Sequence, residues 1–272
     1  MNIIVCIKQV PDPDIPPGQF TVDPAARRVV PPPGVPPVMN GYDANALEAA
    51  LRLKEQHGGS ITALSLGADS ARDTLKRAIG MGANGAVLVS DPTLLEGDSW
   101  RTAAALARAI HKLGTYDVVL CGRQASDTDA GQVGLGIAEF LGLPAVAPVQ
   151  KIEVAGDGLL RVERLAEDGY EVVEVRLPAL LVVSSEIGEP RYPPLRGIMA
   201  AGRAQIPIWT AADLPPLPNE RGGGDWPPLV RKLALRRLYQ ETREAQCEFI
   251  EADSPAEAGR LLADRLREAK LL

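Results

Sequence analysis

The sequence predicts an α/β protein: a doubly wound, mostly parallel sheet with a small antiparallel addition and a C-terminal helical arm. Three observations predict it. Short apolar runs rich in β-branched residues alternate with stretches of helical periodicity up to Gly142. After Pro144 the alternation gives way to four strand-like runs, with Asp157-Gly158 and Asp168-Gly169 as hairpin signals. Finally, Ser254-Pro-Ala-Glu257 reads as a capping box with proline at the first helical position, opening a helix after a long irregular stretch.

Residues 2–7 form the first strand. Residues 9–41 are a proline-rich excursion, and proline at this density blocks helix and ladder hydrogen bonds. A loop this long inside a domain is functional or packs on a partner. Asp43 is placed to cap a helix carrying Ala46, Leu47, Ala50, Leu51 and Lys54, which stops at Gly58-Gly59. Residues 60–66 are a strand, about 69–80 a helix, 85–90 a strand and about 98–113 a helix with Ala103, Leu106, Ala107 and Ile110 on one face. Strands follow at 117–122, 149–154, 160–164, 170–176 and 179–184, the last apolar enough to be central. From 186 to 228 patterning fades, with 222–228 reading as a linker. The last helix shows Ala258, Leu261, Leu262, Leu266 and Ala269 at helical spacing. The expected division is 1–185, a nucleotide-binding domain including the antiparallel addition; 186–228, a recognition loop and linker; and 229–272, an arm.

The chemistry concentrates in residues 118–134. A strand ends at Gly122, a polar loop follows with Arg123, Gln124, Ser126, Asp127, Thr128 and Asp129, and a helix opens at Gly131–Gly134. In a parallel sheet such a loop lies at the carboxyl end of a strand, where ligands sit. Unpaired N–H groups at the helix start suit a phosphate, and glycine permits close approach. The competing reading is an ordinary loop with Asp129 as N-cap. Asp127 and Asp129 repel a phosphate unless they point away, cap the helix or hold a ribose.

Composition narrows the function. The chain has 272 residues, 46% of them hydrophobic, enough for a large core. A net charge of −6 argues against general nucleic-acid binding. No apolar run approaches the roughly 20 residues of a membrane span. The N-terminus lacks a signal-peptide pattern, so the expected location is cytoplasmic. The three cysteines, Cys6, Cys121 and Cys247, have no zinc-site or disulfide spacing. The two histidines, His57 and His111, fall near helix ends, which leaves a nucleophile–histidine catalytic set poorly supported. No metal site is expected.

Four stretches, taken in order, carry a resemblance. They are residues 3–12 (IIVCIKQVPD), residues 40–54 (NGYDANALEAALRLK), residues 122–134 (GRQASDTDAGQVG), and the set 167–172 (EDGYEV), 177–179 (LPA) and 189–199 (EPRYPPLRGIM). Together they cover most of residues 1–200, and the chain resembles the β subunit of electron-transfer flavoproteins.

The resemblance implies a Rossmann-like, adenine-nucleotide-hydrolase-like fold and a heterodimer with an electron-transfer flavoprotein α subunit. That subunit holds a redox-active FAD, shared at the interface. The β site holds AMP in ordinary members and a second FAD in electron-bifurcating members. By motif position Cys6, Asn40, Leu66, Gly122, Gln124, Asp127, Asp129, Gly131, Gln132, Val133 and Gly134 line that site. Tyr42 falls where the family places an aromatic near the α-subunit flavin. Arg191, Tyr192, Leu195, Ile198 and Met199 lie in the loop that recognises partner dehydrogenases such as acyl-CoA dehydrogenases, with Leu195 as anchor. The implied role is an electron carrier, not an enzyme. The chain departs from the family pattern at Gly41, where proline is usual, in its long excursion, and at 200–204 (AAGRA), where a lysine run is usual.

Plainer readings compete at single residues. Leu195 reads equally as a buried loop leucine, Tyr42 as a packing staple, Arg123 as a partner of Asp127 or Asp129, and Arg191 as a partner of Glu186 or Glu189. Two other functional classes share the fold: an adenine-nucleotide-binding enzyme and a nucleotide-sensing module without a redox role. The enzyme needs a Ser-Gly-Gly-x-Asp loop after strand one or a His-x-Gly-His signature, and residues 6–14 supply neither.

Overall fold

The computed structural model describes residues 1–217, 229–240 and 247–272. The stretch 222–228, expected to be a linker, lies outside the described residues. Two compact bodies are present: residues 1–21 with 29–236, and residues 22–28 with 237–272.

In the larger body the chain runs from β1 (Asn2–Cys6) into the proline-rich excursion. Contrary to the expectation, the excursion carries short strands: β2 (Gln9–Val10), β3 (Thr21–Asp23), β4 (Arg28–Val30) and β5 (Val38–Met39), with residues 22–28 belonging to the smaller body. β2 and β5 pair antiparallel, which closes the excursion at its base. There follow α1 (Gly41–His57), β6 (Ser60–Leu66), α2 (Ala71–Met81), β7 (Gly85–Val89), the short α3 (Pro92–Leu95), α4 (Ser99–Leu113), β8 (Val118–Gly122) and α5 (Val133–Leu141). Then come β9 (Ala145–Gly156), β10 (Leu159–Ala166), β11 (Gly169–Arg176), β12 (Ala179–Val183), α6 (Leu195–Arg203) and β13 (Ile208–Trp209).

The main sheet has nine strands in the order β11-β10-β9-β12-β8-β1-β6-β7-β13. β9 serves two partners. Its first residues run parallel to β12, and from Val149 onward it pairs antiparallel with β10, so the antiparallel ribbon grows directly out of the parallel sheet. The fold class read from sequence is the one observed. The fading of pattern after 186 is corrected: α6 and β13 are regular, and β13 extends the sheet beside β7. Two residues of strand are too few to show alternation, and Pro193-Pro194 immediately before α6 masks its start.

Alternation along the strands makes two cores. Ile3, Val5, Ile61, Ala63, Val118 and Leu120 face α1 and α2, meeting Leu47, Leu51 and Leu75. Ile4, Cys6, Leu64, Val119 and Cys121 face α4 and α5, meeting Leu106, Ile110, Ile137 and Phe140. The chain winds from β1 outward through β6 and β7, then crosses back to β8 on the other side of β1. The crevice between the carboxyl ends of β1 and β8 is therefore the topological switch point, where α/β sheets hold ligands.

In the smaller body α7 (Pro255–Glu268) begins at Ser254, whose hydroxyl accepts the Glu257 N–H at 3.2 Å. The start read from sequence is the start observed.

Candidate functional site

The first turn of α1 is seated against both strand ends at the switch point. Asn40, 1% exposed, is its N-cap residue, but its side chain serves another segment. Its amide donates to the Gln124 carbonyl at 2.8 Å, and its oxygen accepts the Ser126 N–H at 3.1 Å. Asp43 does not cap the helix as expected. It lies inside the first turn, 6% exposed, and accepts the Lys8 N–H at 2.7 Å and the Gly122 N–H at 3.1 Å. One carboxylate thus satisfies a backbone donor just past the end of β1 and another at the end of β8, two groups that have no ladder partner to take them. Burial pushes the Asp43 carboxyl up to about 7, against the pull of the Lys8 N–H, the Asn40 amide and the Gly122 N–H.

Gly122 is required here by contact. A Cβ on it would lie 2.3 Å from Asp43 Oδ1 and 2.6 Å from the Tyr42 carbonyl carbon. Gly131 is required by conformation, with φ of 60°, since a Cβ on it would meet only the Arg123 carbonyl oxygen at an ordinary 3.6 Å. Gly134 has a different reason: a Cβ on it would lie only 3.1 Å from Cys121 Cβ and Val182 Cγ2, so its missing side chain lets α5 pack closely on β8 and β12.

The acidic loop residues both have partners. Lys8 Nζ bonds both Asp127 oxygens, at 2.7 and 2.8 Å. Asp129, in the left-handed region at φ 48°, accepts from the Gln124 side-chain amide at 3.0 Å. Asp129 is therefore not the N-cap of α5. Gln132 takes that position without a side-chain cap bond, which leaves the first N–H groups of the helix open to the loop. The helix starts at Val133, two residues after the expected Gly131.

The structure gathers the expected nucleotide-site residues at one end of the sheet. Cys6 pairs in register with Cys121, and Leu66 lies at the end of β6 on the same face as both. Gln124, Asp127, Asp129, Gly131, Gln132, Val133 and Gly134 line the loop and helix start above them, and Tyr42, half-buried, lies between Asn40 and Asp43. The Cys121 thiol is held well above its ordinary value by its hydrogen bond with the free thiol of Cys6 and by burial. A groove of about 460 Å³ lined by Met1, His57, Tyr116, Asp117 and Pro178 lies at the other end of the strands, away from this chemistry.

Arg191, Tyr192, Leu195, Ile198 and Met199 form a second region. Leu195 is 74% exposed and Tyr192 88%, which removes the buried-leucine reading. Ile198 and Met199 are also exposed, on the outer face of α6. Arg191 pairs with neither Glu186 nor Glu189. Its backbone N–H, Nε and Nη2 all donate to Glu48, at 3.1, 2.8 and 3.0 Å, and its guanidinium also bonds Glu55. Arg52 completes the clamp, donating to Glu48 at 3.0 Å and to the Ile187 carbonyl at 3.0 Å, while Asn45 donates to the Gly188 carbonyl at 2.8 Å. Burial pushes Glu48 up, but the Arg191 and Arg52 bonds outweigh it and hold the carboxyl below its ordinary value. On α2, Gly80 meets Gly197 of α6 so closely that a Cβ on Gly197 would lie 2.0 Å from the Gly80 carbonyl oxygen.

Sequence reasoning missed Lys8, Asp43 as a strand-end acceptor, and Glu48. A signal existed for Glu48. Asn45, Glu48, Arg52 and Glu55 are spaced by three, four and three residues, a polar stripe on a helix otherwise apolar at Leu47, Leu51 and Leu53.

Comparison with known proteins agrees with this architecture. A family model described as the electron transfer flavoprotein domain matches residues 33–214. A protein of Thermoanaerobacterium thermosaccharolyticum named electron transfer flavoprotein subunit beta is 45% identical over 223 residues, 82% of this chain and 83% of that one. One of the same name from Clostridium acetobutylicum is 39% identical over 269 residues, 98% of each chain. The caffeyl-CoA reductase-Etf complex subunit CarD of Acetobacterium woodii is 37% identical over 273 residues, spanning both chains in full.

Proposed function

This chain belongs to the electron transfer flavoprotein family and has an electron-transfer role, and on that premise we propose that it is the β subunit of a flavoprotein heterodimer. It carries electrons and performs no catalysis of its own. Its partner is an α subunit holding a redox-active FAD, with Tyr42 facing that flavin. The β site, built from Cys6, Asn40, Leu66 and the 122–134 loop, binds an adenine nucleotide, its phosphate at the start of α5. Residues 1–185 supply this site, 186–228 the recognition loop and linker, and 229–272 the arm that docks on the α subunit. The exposed Leu195, Ile198 and Met199, with Tyr192 and Arg191, meet partner dehydrogenases such as acyl-CoA dehydrogenases.

The observation that carries the reading is the loop at the switch point. Its Asp127 is neutralised by Lys8, its Asp129 is engaged by the Gln124 amide, and it leaves helix N–H groups open beside Gly131. Likeness to a subunit of a reductase-Etf complex brings electron bifurcation into this reading; the site then holds a second FAD, and AMP otherwise.

The test is co-purification with the α subunit, a visible spectrum, and acid release of bound ligands. A flavin band with two flavins per heterodimer is expected; one flavin plus AMP keeps the carrier role and removes bifurcation. Gly131→Val, which forces a β-branched residue into φ of 60°, should abolish nucleotide retention. Unchanged retention in that variant takes the loop out of the site, and a flavin-free monomer indifferent to the α subunit ends the whole reading.

A further inference from the structure

Tyr42 is held from both sides. Asn40, two residues before it, is bonded to Gln124 and Ser126 of the loop, and its own N–H donates to the Lys8 carbonyl at 3.0 Å. Asp43, one residue after it, is bonded to Lys8 and Gly122. The close approach at Gly122 leaves this turn no room to slide along β8. The backbone on either side of Tyr42 is therefore fixed to the loop, to the end of β1 and to the end of β8 at once.

We propose that Asn40 and Asp43 are positioning residues for electron transfer: they fix Tyr42 to the nucleotide loop and the strand ends, and the protonation state of Asp43 is read out at Tyr42. This rests on the reading of the loop as the nucleotide site and of Tyr42 as flavin-proximal. Ionised Asp43 accepts both N–H bonds with full strength, and a proton on either oxygen weakens one of them. Burial brings that exchange to about pH 7. The groups facing Asp43 are Lys8 just past the end of β1, the Asn40 amide and Cys121 on β8, with Asp127 across the Lys8 ammonium and Cys6 behind Cys121. Cys121 is held well above this range, so it does not share the titration.

The experiment uses the complex with the flavin-bearing subunit. The rate of flavin reduction by a dehydrogenase is followed from about pH 6 to about pH 8, around the Asp43 midpoint. The complex should show an inflection near 7. Asp43→Asn and Tyr42→Ala should each remove it, and the double variant should be no slower than Tyr42→Ala alone, because the first residue acts through the second. Losses that add, an inflection that survives Asp43→Asn, or none in the unaltered complex overturns the proposal. If Asp43→Asn does not fold, Asp43→Glu takes its place: the longer carboxylate should move the inflection, and an unmoved one overturns the proposal. Acid release of nucleotide from the same preparations keeps the two readings apart. An empty β site in the unaltered complex is a failure of the nucleotide assignment, whereas a filled site with additive losses sinks only the positioning role.

Discussion

At the scale of single residues, exposure and hydrogen bonding separate side chains that the sequence treats alike. Leu195 and Leu51 are both leucines on helices, yet Leu195 is three-quarters exposed and Leu51 is in the core. Leu195→Ala should therefore change folding stability by no more than about 0.5 kcal/mol. If its side chain fills a pocket on a dehydrogenase, the loss is about 1.5–3 kcal/mol of docking, on the order of 10-fold to 100-fold in affinity. A melting curve and a dehydrogenase titration on one preparation check both halves; a large stability loss with unaltered kinetics contradicts the assignment. Residues whose role follows from chemistry local in sequence were legible, among them the Ser254 cap. Asp43 was not. Its partners, Lys8 and Gly122, are distant in sequence, and nothing in the local pattern distinguishes a cap from a long-range acceptor.

At the scale of elements, α1 connects the two candidate regions. Its first turn holds the 122–126 loop, and its second to fourth turns hold the segment from Ile187 to Arg191 through Asn45, Glu48 and Arg52. Glu48 is the centre of the second clamp. Because its folded pKa lies below its ordinary value, its contribution is present above that value and is lost as pH falls through the lowered one. Glu48→Gln should cost roughly 1.5–3 kcal/mol at neutral pH, and the difference from the unaltered chain should shrink toward about pH 4. Urea melts at the two pH values measure it, and a pH-independent difference would show that packing rather than charge is lost. Helices and strands of ordinary length were readable from periodicity, β6, α2, β7, α4 and β8 among them. α6 was not, since it begins after two prolines and carries Gly197 within nine residues. That glycine is there because α6 and α2 meet backbone to backbone, a tertiary fact with no local signature.

At the scale of the whole molecule, two bodies are built on different terms. The larger has two apolar cores on either side of a nine-stranded sheet. The smaller carries α7, which buries none of its residues fully and exposes Leu262, Leu271 and Leu272 nearby. A helix of this kind gains its stability from a surface it packs against. Deleting residues 254–272 should leave the thermal transition of the larger body in place while weakening assembly with the α subunit. Circular dichroism and analytical ultracentrifugation of the truncated chain report the two effects separately; collapse of the thermal transition would mean that the arm is part of the fold.

The antiparallel ribbon grown from β9 leaves β11 at the rim of the sheet, with backbone donors and acceptors turned outward. Such a rim invites another strand to add to it, the first step toward aggregation. β11 meets this with Glu171 and Glu174, which pair with Arg164 and Arg161 on β10 and still stand about half exposed. An incoming copy of the same strand would bring its own carboxylates against them. Replacing both glutamates with valine should therefore raise the tendency of copies to add edge to edge at this rim, a consequence independent of any cofactor.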